Sequence, residues 1–290
     1  MKTIKAFIKS HPVMSFFVLA FAISWGGILL VVGGPGGFLG TKEQVQTPLL
    51  LVMVPWFAGP SVASILLIGL LYGREGFRDL LARMTRWRVG ARWYAVALLT
   101  APLLYGALSL ALSLISPAFL PSILTTSDKA ALLLMGIAYG LIGGGFLEEL
   151  GWTGFAVPRM RQRYGVLGTG LIVGVLWGAY HFSVVYWASS PSGAIPLAIL
   201  LAQLFAWLPA YRVLMVWVYD RTNGSLLLAM LMHASLSASM FILMNLTISG
   251  LAQLTYLLLL SAAMWIVVGA VIVAHHGHLS RQPPLQGRVA

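Results

Sequence analysis

Runs of about 20 apolar residues follow one another along almost the whole of this chain, separated by short polar or basic segments. A helix of about 20 residues can cross the roughly 30 Å hydrocarbon core of a bilayer, so each run is long enough to be a transmembrane helix. Hydrophobic residues make up 59% of the sequence and charged residues 9%, as is typical of polytopic membrane proteins. We therefore predict an all-α polytopic membrane protein with one helical membrane domain over residues 1–290 and about eight transmembrane helices, near residues 13–33, 48–72, 93–118, 130–156, 166–190, 195–219, 224–246 and 251–275.

The basic residues predict the orientation, because short cytoplasmic loops are enriched in Lys and Arg. With both termini in the cytoplasm, only Lys42 and Lys129 lie outside. We expect a multi-pass protein of the cell membrane whose positive charge serves topology and contact with anionic lipid headgroups. The charges are split among loops instead of forming one groove, which argues against nucleic-acid binding. The predicted cytoplasmic set is Lys2, Lys5, Lys9, Arg74, Arg78, Arg83, Arg86, Arg88, Arg92, Arg159, Arg161, Arg163, Arg212, Arg221, Arg281 and Arg288.

Two adjacent acidic residues, Glu148 and Glu149, interrupt the apolar stretch AYGLIGGGFLEELGWTGFAVP. The whole chain has only seven Asp and Glu residues. A carboxylate at bilayer depth costs about 2.5–3.5 kcal/mol on insertion scales, so an intramembrane acid is a candidate functional residue. The pair therefore indicates where the functional site lies.

His181 and His233 lie in other predicted membrane segments. Intramembrane ionisable groups usually face the bundle interior and pair with one another, so we expect both histidines to converge with the glutamates, the alternative being that each only packs. Ser237 follows His233 by four residues and Thr153 follows the second glutamate by four, so each shares a helical face with its partner. Together these groups predict a hydrated pocket in the inner half of the membrane, opening toward the cytoplasm.

Two kinds of chemistry fit such a set. A carboxylate can take a proton from water while imidazoles stabilise a developing oxyanion, which suffices for peptide hydrolysis without a covalent intermediate. Alternatively, Glu148, His181 and His233 could bind a catalytic divalent metal, with zinc the first candidate. The sequence has no cysteine, no H-E-x-x-H and no G-x-S-x-G, so cysteine nucleophiles, zincin helices and that serine arrangement are not supported.

Three segments resemble the motifs of the CAAX protease and bacteriocin-processing family of intramembrane proteases, which includes the type II CAAX prenyl endopeptidases. The segment EELGWTGFAVPR, residues 148–159, is similar to the family's Glu-Glu-x-x-x-Arg motif and its W-R-G-F-x-x-P continuation. The segment WGAYH resembles Phe-x-x-x-His with Trp177 in place of Phe, and HASLS resembles His-x-x-x-Asn with Ser237 in place of Asn. The order and spacing predict a protease core over residues 136–245.

The resemblance implies a role for each matching residue. Glu148 would activate water, His181 would assist it, His233 and Ser237 would support the oxyanion, and Glu149 would orient the site. Thr153 stands where the family has an arginine, so a cationic partner for the glutamates is missing, and a threonine cannot replace a cation. A serine hydroxyl in place of the family's asparagine can still donate a hydrogen bond.

Arg212, in the sixth apolar run, offers a hypothesis for the missing cation. Its depth is similar to that of Glu149, so its guanidinium could supply the counter-charge. The alternative is that Arg212 extends to the inner membrane surface, and the habit of long cationic side chains near helix ends favours this alternative.

We therefore predict an intramembrane endopeptidase, of a glutamate or a metallo type, whose substrate is a membrane-associated peptide or protein, either prenylated or carrying a leader peptide. Thr153 and Ser237 favour the alternative of a catalytically silent relative that acts as an immunity or scaffold protein. A proton-coupled transporter could use the same acids and histidines, but the chain has no internal repeat of the kind that many transporters contain.

Overall fold

The computed structural model describes residues 2–34, 49–182 and 194–280, and within these ranges all regular secondary structure is helical. The all-α polytopic fold predicted above is confirmed. Among the described residues, seven helices are long and apolar enough to cross a membrane, and the shorter apolar helix Val166–Tyr180 corresponds to the remaining predicted segment, 166–190. Residues 183–190 of that predicted segment, together with Lys42, Arg281 and Arg288, lie outside the described residues.

The helices match the predicted apolar runs closely at most ends. The second run continues beyond its predicted end as a helix that turns at Gly73, where φ is 56°. The elements are α1 (Lys2–Ser10), α2 (Pro12–Val31), α3 (Leu49–Met84), α4 (Ala91–Ser113), α5 (Ser122–Thr125), α6 (Lys129–Met160), α7 (Val166–Tyr180), α8 (194–221), α9 (Leu226–Leu243) and α10 (Gly250–Ala274), with a 3₁₀ turn at Pro117–Phe119.

Short connections of four to six residues join α3 to α4, α6 to α7, α8 to α9 and α9 to α10, so successive helices run in opposite directions. The described arginines outside the bundle core lie where α3, α6 and α8 end and where α4, α7 and α9 begin. We call this the arginine-rich end, and the end that carries the α9–α10 connection the opposite end. Arg212 belongs to neither end, because its side chain is fully buried inside the bundle, so its predicted place among the surface cations is wrong.

Helix α6, which carries the glutamates, is not a regular α-helix. It contains two π-helical segments, Gly140–Glu148 and Trp152–Ala156. Such bulges release backbone carbonyls from the regular hydrogen-bond ladder and are frequent at functional sites. Arg83 of α3 donates hydrogen bonds to two carbonyls of the second segment, those of Thr153 (3.4 Å) and Gly154 (2.9 Å).

Two glycines allow the close helix contacts on which the site depends. A Cβ at Gly144 of α6 would lie 2.6 Å from Ser237 Oγ, so only glycine lets α9 approach at this point. A Cβ at Gly174 of α7 would lie 2.5 Å from the Cα of Pro209 and 3.2 Å from the Cβ of Arg212. The closeness of α7 and α8 therefore brings the arginine toward the centre of the bundle.

Candidate active site

Glu148 is held by two tryptophans and faces a cavity. Its Oε2 accepts hydrogen bonds from the indole nitrogens of Trp152, one turn along α6, at 2.9 Å and of Trp177 on α7 at 2.8 Å. No described side chain donates to its Oε1. The carboxylate is therefore oriented by neutral donors, with one oxygen left for a ligand in the cavity that it lines.

Glu149 points away from that cavity and is fully paired. Arg212 Nη1 lies 2.8 Å from Oε1 and 3.0 Å from Oε2, and His233 Nδ1 lies 2.7 Å from Oε1. The Thr153 hydroxyl donates to Oε2, as expected from their shared helical face. A buried carboxylate needs such partners, because an unpaired charge in a low-dielectric interior costs several kcal/mol. The alternative in which Arg212 reaches the membrane surface is wrong, and the counter-charge hypothesis is the one that the geometry supports.

Trp177 connects the two glutamates. Its N–H donates to Glu148, and the Arg212 guanidinium carbon lies 4.1 Å from the centre of its ring. This cation–π contact stabilises an arginine whose Nε and Nη2 have no hydrogen-bond partner among the described residues. The His233 ring meets the tryptophan edge to face, with 4.8 Å between ring centres.

The two histidines reach the cavity from different helices. His181 follows the last residue of α7, and its Nδ1 lies 2.7 Å from the carbonyl oxygen of Trp177. His233 uses Nδ1 for Glu149, which leaves Nε2 near Gly144, next to the hydroxyl of Ser237. The expected convergence of the histidines with the glutamates is therefore present in the geometry.

One cavity of about 320 Å³ joins these groups. Glu148, His181, His233 and Ser237 line it, whereas Glu149 and Thr153 do not, so the second glutamate lies behind the chamber that we expected both acids to share. The other lining residues are Trp56, Tyr105, Tyr139, Gly144, Trp177, Gln203, Trp207, Leu208, Leu236, Met240, Met244, Leu246, Ile248, Gln253 and Leu257.

The cavity lies on the side of Glu148 that faces the opposite end of the bundle. His233 is about 10 Å and Met240 about 21 Å along α9 from its arginine-rich start, and the lining continues through the α9–α10 connection. On the other side of Glu148 the fully buried Trp152 and Phe155 fill the space between helices. The prediction of a pocket opening toward the arginine-rich loops is wrong, because large side chains such as Trp152 and Phe155 pack that half.

The described residues do not form a metal site. No group of three His, Asp or Glu side chains among them is placed to hold one metal ion, and this includes the predicted set of Glu148, His181 and His233. Glu148 Oε2, His181 Nδ1 and His233 Nδ1 are each engaged in a hydrogen bond. As placed here, the three side chains do not converge on one zinc position.

Trp152 and Trp177 donate hydrogen bonds at the candidate site, although the sequence did not predict them as site residues. Trp152 lies four residues after Glu148, and Trp177 occupies the Phe position of the second motif, so spacing and position were available as signals. Tryptophan is common in membrane helices as a large apolar residue. The sequence alone therefore does not show that these two indoles donate hydrogen bonds to Glu148.

Comparison with known proteins agrees with the motifs. Residues 129–239, from the start of α6 to near the end of α9, match the family model described as type II CAAX prenyl endopeptidase Rce1-like. The chain is also similar to CAAX prenyl protease 2 of Methanococcus maripaludis, with 22% identity over 234 residues, which cover 78% of this chain and 82% of that protein. The matched range contains every residue that lines the polar part of the cavity from α6, α7 and α9. Residues 129–239 are thus similar to the type II CAAX prenyl endopeptidases of the Rce1 type.

Proposed function

We propose that this protein is an intramembrane endopeptidase that hydrolyses a peptide bond of a membrane-associated substrate with water activated by Glu148. The observation that carries the proposal is the division of labour between the two glutamates. Glu149 is neutralised by a buried arginine, whereas Glu148 has only neutral donors and faces the cavity. A carboxylate in that position can serve as a general base.

In the proposed reaction a water molecule binds between Glu148 and His181. Glu148 takes a proton from this water, and the resulting hydroxide oxygen attacks the carbonyl carbon of the substrate. The negative charge moves to the carbonyl oxygen. When the carbon–nitrogen bond breaks, Glu148 returns the proton to the leaving amine, so that one water is consumed and the enzyme is regenerated.

Ser237 and His233 are the proposed donors to the oxyanion. The Ser237 hydroxyl can donate in any state. His233 donates through Nδ1 to Glu149, so its Nε2 can donate to the oxyanion only in the imidazolium form of the ring. Each oriented donor of this kind is worth about 10²–10³ in kcat.

The proposal is tested with the purified protein in detergent. Two internally quenched peptides serve as probes: one that ends in a farnesylated Cys-aliphatic-aliphatic-X sequence, and one of similar length that is anchored by an acyl chain and has no prenyl group. We expect cleavage of at least one peptide by the wild type and a loss of about 10²–10⁴ in rate in Glu148→Gln. Equal cleavage by the two proteins would overturn the role of Glu148.

The same cleavage assay with a chelator added tests whether hydrolysis depends on a metal ion. We expect activity to survive chelation, because the donor set does not fit a metal. Loss of activity that added zinc restores would contradict the metal-free step.

The sequence left two alternatives open, a catalytically silent relative and a proton-coupled transporter. The silent relative was favoured by the missing cation at Thr153, and Arg212 now supplies a cation to Glu149. Binding of both peptides without cleavage would return the protein to that class. No observation on the described residues favours a proton-coupled transporter.

A further inference from the structure

We propose that the arginine-rich end of the bundle carries a binding site for the phosphate group of an anionic phospholipid, in a pocket between α4, α8 and α10. The pocket has a volume of about 500 Å³ and shares no lining residue with the cavity of the candidate active site. Its lining residues are Arg92, Trp93, Val96, Trp217, Arg221 and His275.

Three helix ends meet at this pocket, which places it at the depth of the lipid headgroups. Arg92 is the second residue of α4, Arg221 is the last residue of α8, and His275 directly follows α10. Each of these helices is long and apolar enough to cross a membrane, so its end lies near the membrane surface.

Aromatic rings form a preformed wall of the pocket. The ring centres of Trp93 and Trp217 lie 5.0 Å apart, and those of Trp217 and His275 lie 5.6 Å apart. The Arg92 guanidinium carbon lies 5.3 Å from the centre of the Trp93 ring. These contacts connect α4, α8 and the residue after α10. Tryptophan is also enriched at the headgroup level of membrane proteins, which agrees with the depth of the pocket.

The two arginines of the pocket form no salt bridge with a carboxylate among the described residues. Asp220 precedes Arg221 in the sequence, but it pairs with Arg161, whose Nε lies 3.1 Å from Oδ1. Arg92 and Arg221 therefore bring two positive charges to one pocket without an acidic partner. Guanidinium groups bind phosphate through several N–H groups at once, so this pair favours a phosphate as the ligand.

Two buried hydrogen-bond donors in the pocket also lack a partner. Arg221 Nη2 donates to the carbonyl oxygen of His278 at 3.0 Å, whereas Nε of the same side chain is buried without a partner among residues 2–34, 49–182 and 194–280. The indole nitrogen of Trp217, a residue that is 8% exposed, is likewise buried and unpaired within these ranges. Buried donors are nearly always paired in proteins, so both atoms indicate a ligand with acceptor oxygens.

An exposed apolar face of α4 begins at the pocket and suits an acyl chain. Val96, Leu99 and Leu103 follow Arg92 at intervals of four, three and four residues, so all four side chains share one helical face. Leu99 is 51% exposed and Leu103 is 65% exposed. A phospholipid whose phosphate contacts the arginines can lay a chain along this face, whereas a soluble phosphate gains nothing from it. Basic pockets between transmembrane helices at this depth suit anionic lipids.

The site is tested with the full-length protein in detergent, by adding phosphatidylglycerol to the micelles and measuring apparent Tm. A ligand that binds the folded state raises apparent Tm. Arg92→Gln with Arg221→Gln removes both charges of the pocket, and Arg74→Gln with Arg78→Gln removes two charges from exposed positions of α3 as the matched control. Without added lipid, the three proteins should have similar apparent Tm, because none of these arginines forms a salt bridge among the described residues.

Phosphatidylglycerol should raise apparent Tm of the wild type and of the α3 double variant, with an affinity at least about tenfold higher than for the pocket double variant. Phosphatidylcholine with the same chains has no net charge and should give a much smaller shift. Equal shifts of all three proteins by phosphatidylglycerol would overturn the pocket as the site. Equal shifts by the two lipids would overturn the recognition of an anionic headgroup.

Soluble glycerol phosphate separates a lipid from a free anion. It offers the same phosphate without acyl chains, so it should stabilise the wild type far less than phosphatidylglycerol at the same concentration. Equal stabilisation by the two compounds would overturn the lipid as the ligand and assign the pocket to a soluble phosphate.

A photoreactive phosphatidylglycerol locates the bound lipid. With the reactive group near the headgroup end of one acyl chain, it should cross-link to residues 92–103 of the wild type, and the pocket double variant should lose this cross-link. Absence of the cross-link in the wild type, or its retention in the variant, would overturn the site. Size-exclusion profiles show whether the variants are folded, and Arg92→Gln alone, at an exposed position, replaces the double variant if that protein aggregates. None of these readouts depends on peptide cleavage, so the site is tested independently of the proposed function.

Discussion

Arg212 of α8 and Glu149 of α6 form an ion pair whose side chains are both fully buried, with Nη1 within 3.0 Å of both carboxylate oxygens. The residue one turn after Glu149 is Thr153, whose hydroxyl occupies only one of those oxygens. The cation that the family motif carries on the helix of the glutamates is thus supplied here by a neighbouring helix.

The origin of the cation leads to a first prediction. Arg212→Ala should lower the free energy of unfolding by about 3–5 kcal/mol, because it leaves a buried carboxylate without its cation. It should also lower the rate of peptide cleavage, because Glu149 would no longer hold His233 in place. Apparent Tm in detergent and cleavage of the quenched peptides measure the two effects.

A second substitution distinguishes a specific counter-charge from general packing. Thr153→Arg combined with Arg212→Ala returns the cation to the helix of Glu149, and we expect it to recover part of the lost activity. Arg221→Ala, on the same helix as Arg212 but outside the core, is the matched control and should change little. Full activity and stability of Arg212→Ala alone would show that the ion pair has no role.

The two adjacent glutamates should respond differently to the same substitution. Glu148→Gln should leave apparent Tm nearly unchanged while cleavage falls by about 10²–10⁴, because an amide cannot accept the proton of water. Glu149→Gln should lower apparent Tm, because it leaves Arg212 buried without its carboxylate partner. Two variants with the same loss of stability would contradict the separation of roles.

Much of this arrangement could be predicted from the sequence. The apolar runs predicted the helices because length and hydropathy decide whether a segment spans a bilayer. The contact between Thr153 and Glu149 followed from a spacing of four residues on one helix. The high cost of burying charge indicated that the glutamates and histidines would lie together.

The sequence was less informative where tertiary packing decides the outcome. Arg212 is 63 residues from Glu149, and no local pattern distinguishes a buried cation from one that extends to the membrane surface. The side on which the cavity lies depends on which side chains fill the space between helices. Trp152 and Phe155 fill one side of Glu148, whereas the cavity lies on the other.

Ser237 gives a prediction about the oxyanion. Ser237→Ala should lower kcat by about 10²–10³ with a smaller change in KM, because the donor acts on charge that develops only in the transition state. Ser237→Asn restores the donor of the family motif and should retain activity. Ser235→Ala, whose hydroxyl bonds to the Leu98 carbonyl on the exposed side of α9, is the matched control and should cleave normally. Equal kcat in all three variants would exclude Ser237 as a donor.

Gly144 offers the sharpest test of the geometry, because a single methyl group would enter the site. In Gly144→Ala the new Cβ would lie 2.6 Å from Ser237 Oγ and 2.8 Å from His233 Nε2, closer than side chains tolerate. Both groups would have to shift, so we expect kcat to fall by at least about tenfold if either oxyanion donor is displaced. The control is Gly26→Ala in α2, where a new Cβ meets no atom within 4 Å and where alanine should stabilise the helix by about 0.8–1 kcal/mol. Cleavage rates and apparent Tm of both variants, measured side by side, decide the matter: unchanged kcat in Gly144→Ala would mean that Ser237 and His233 do not act from the positions described above.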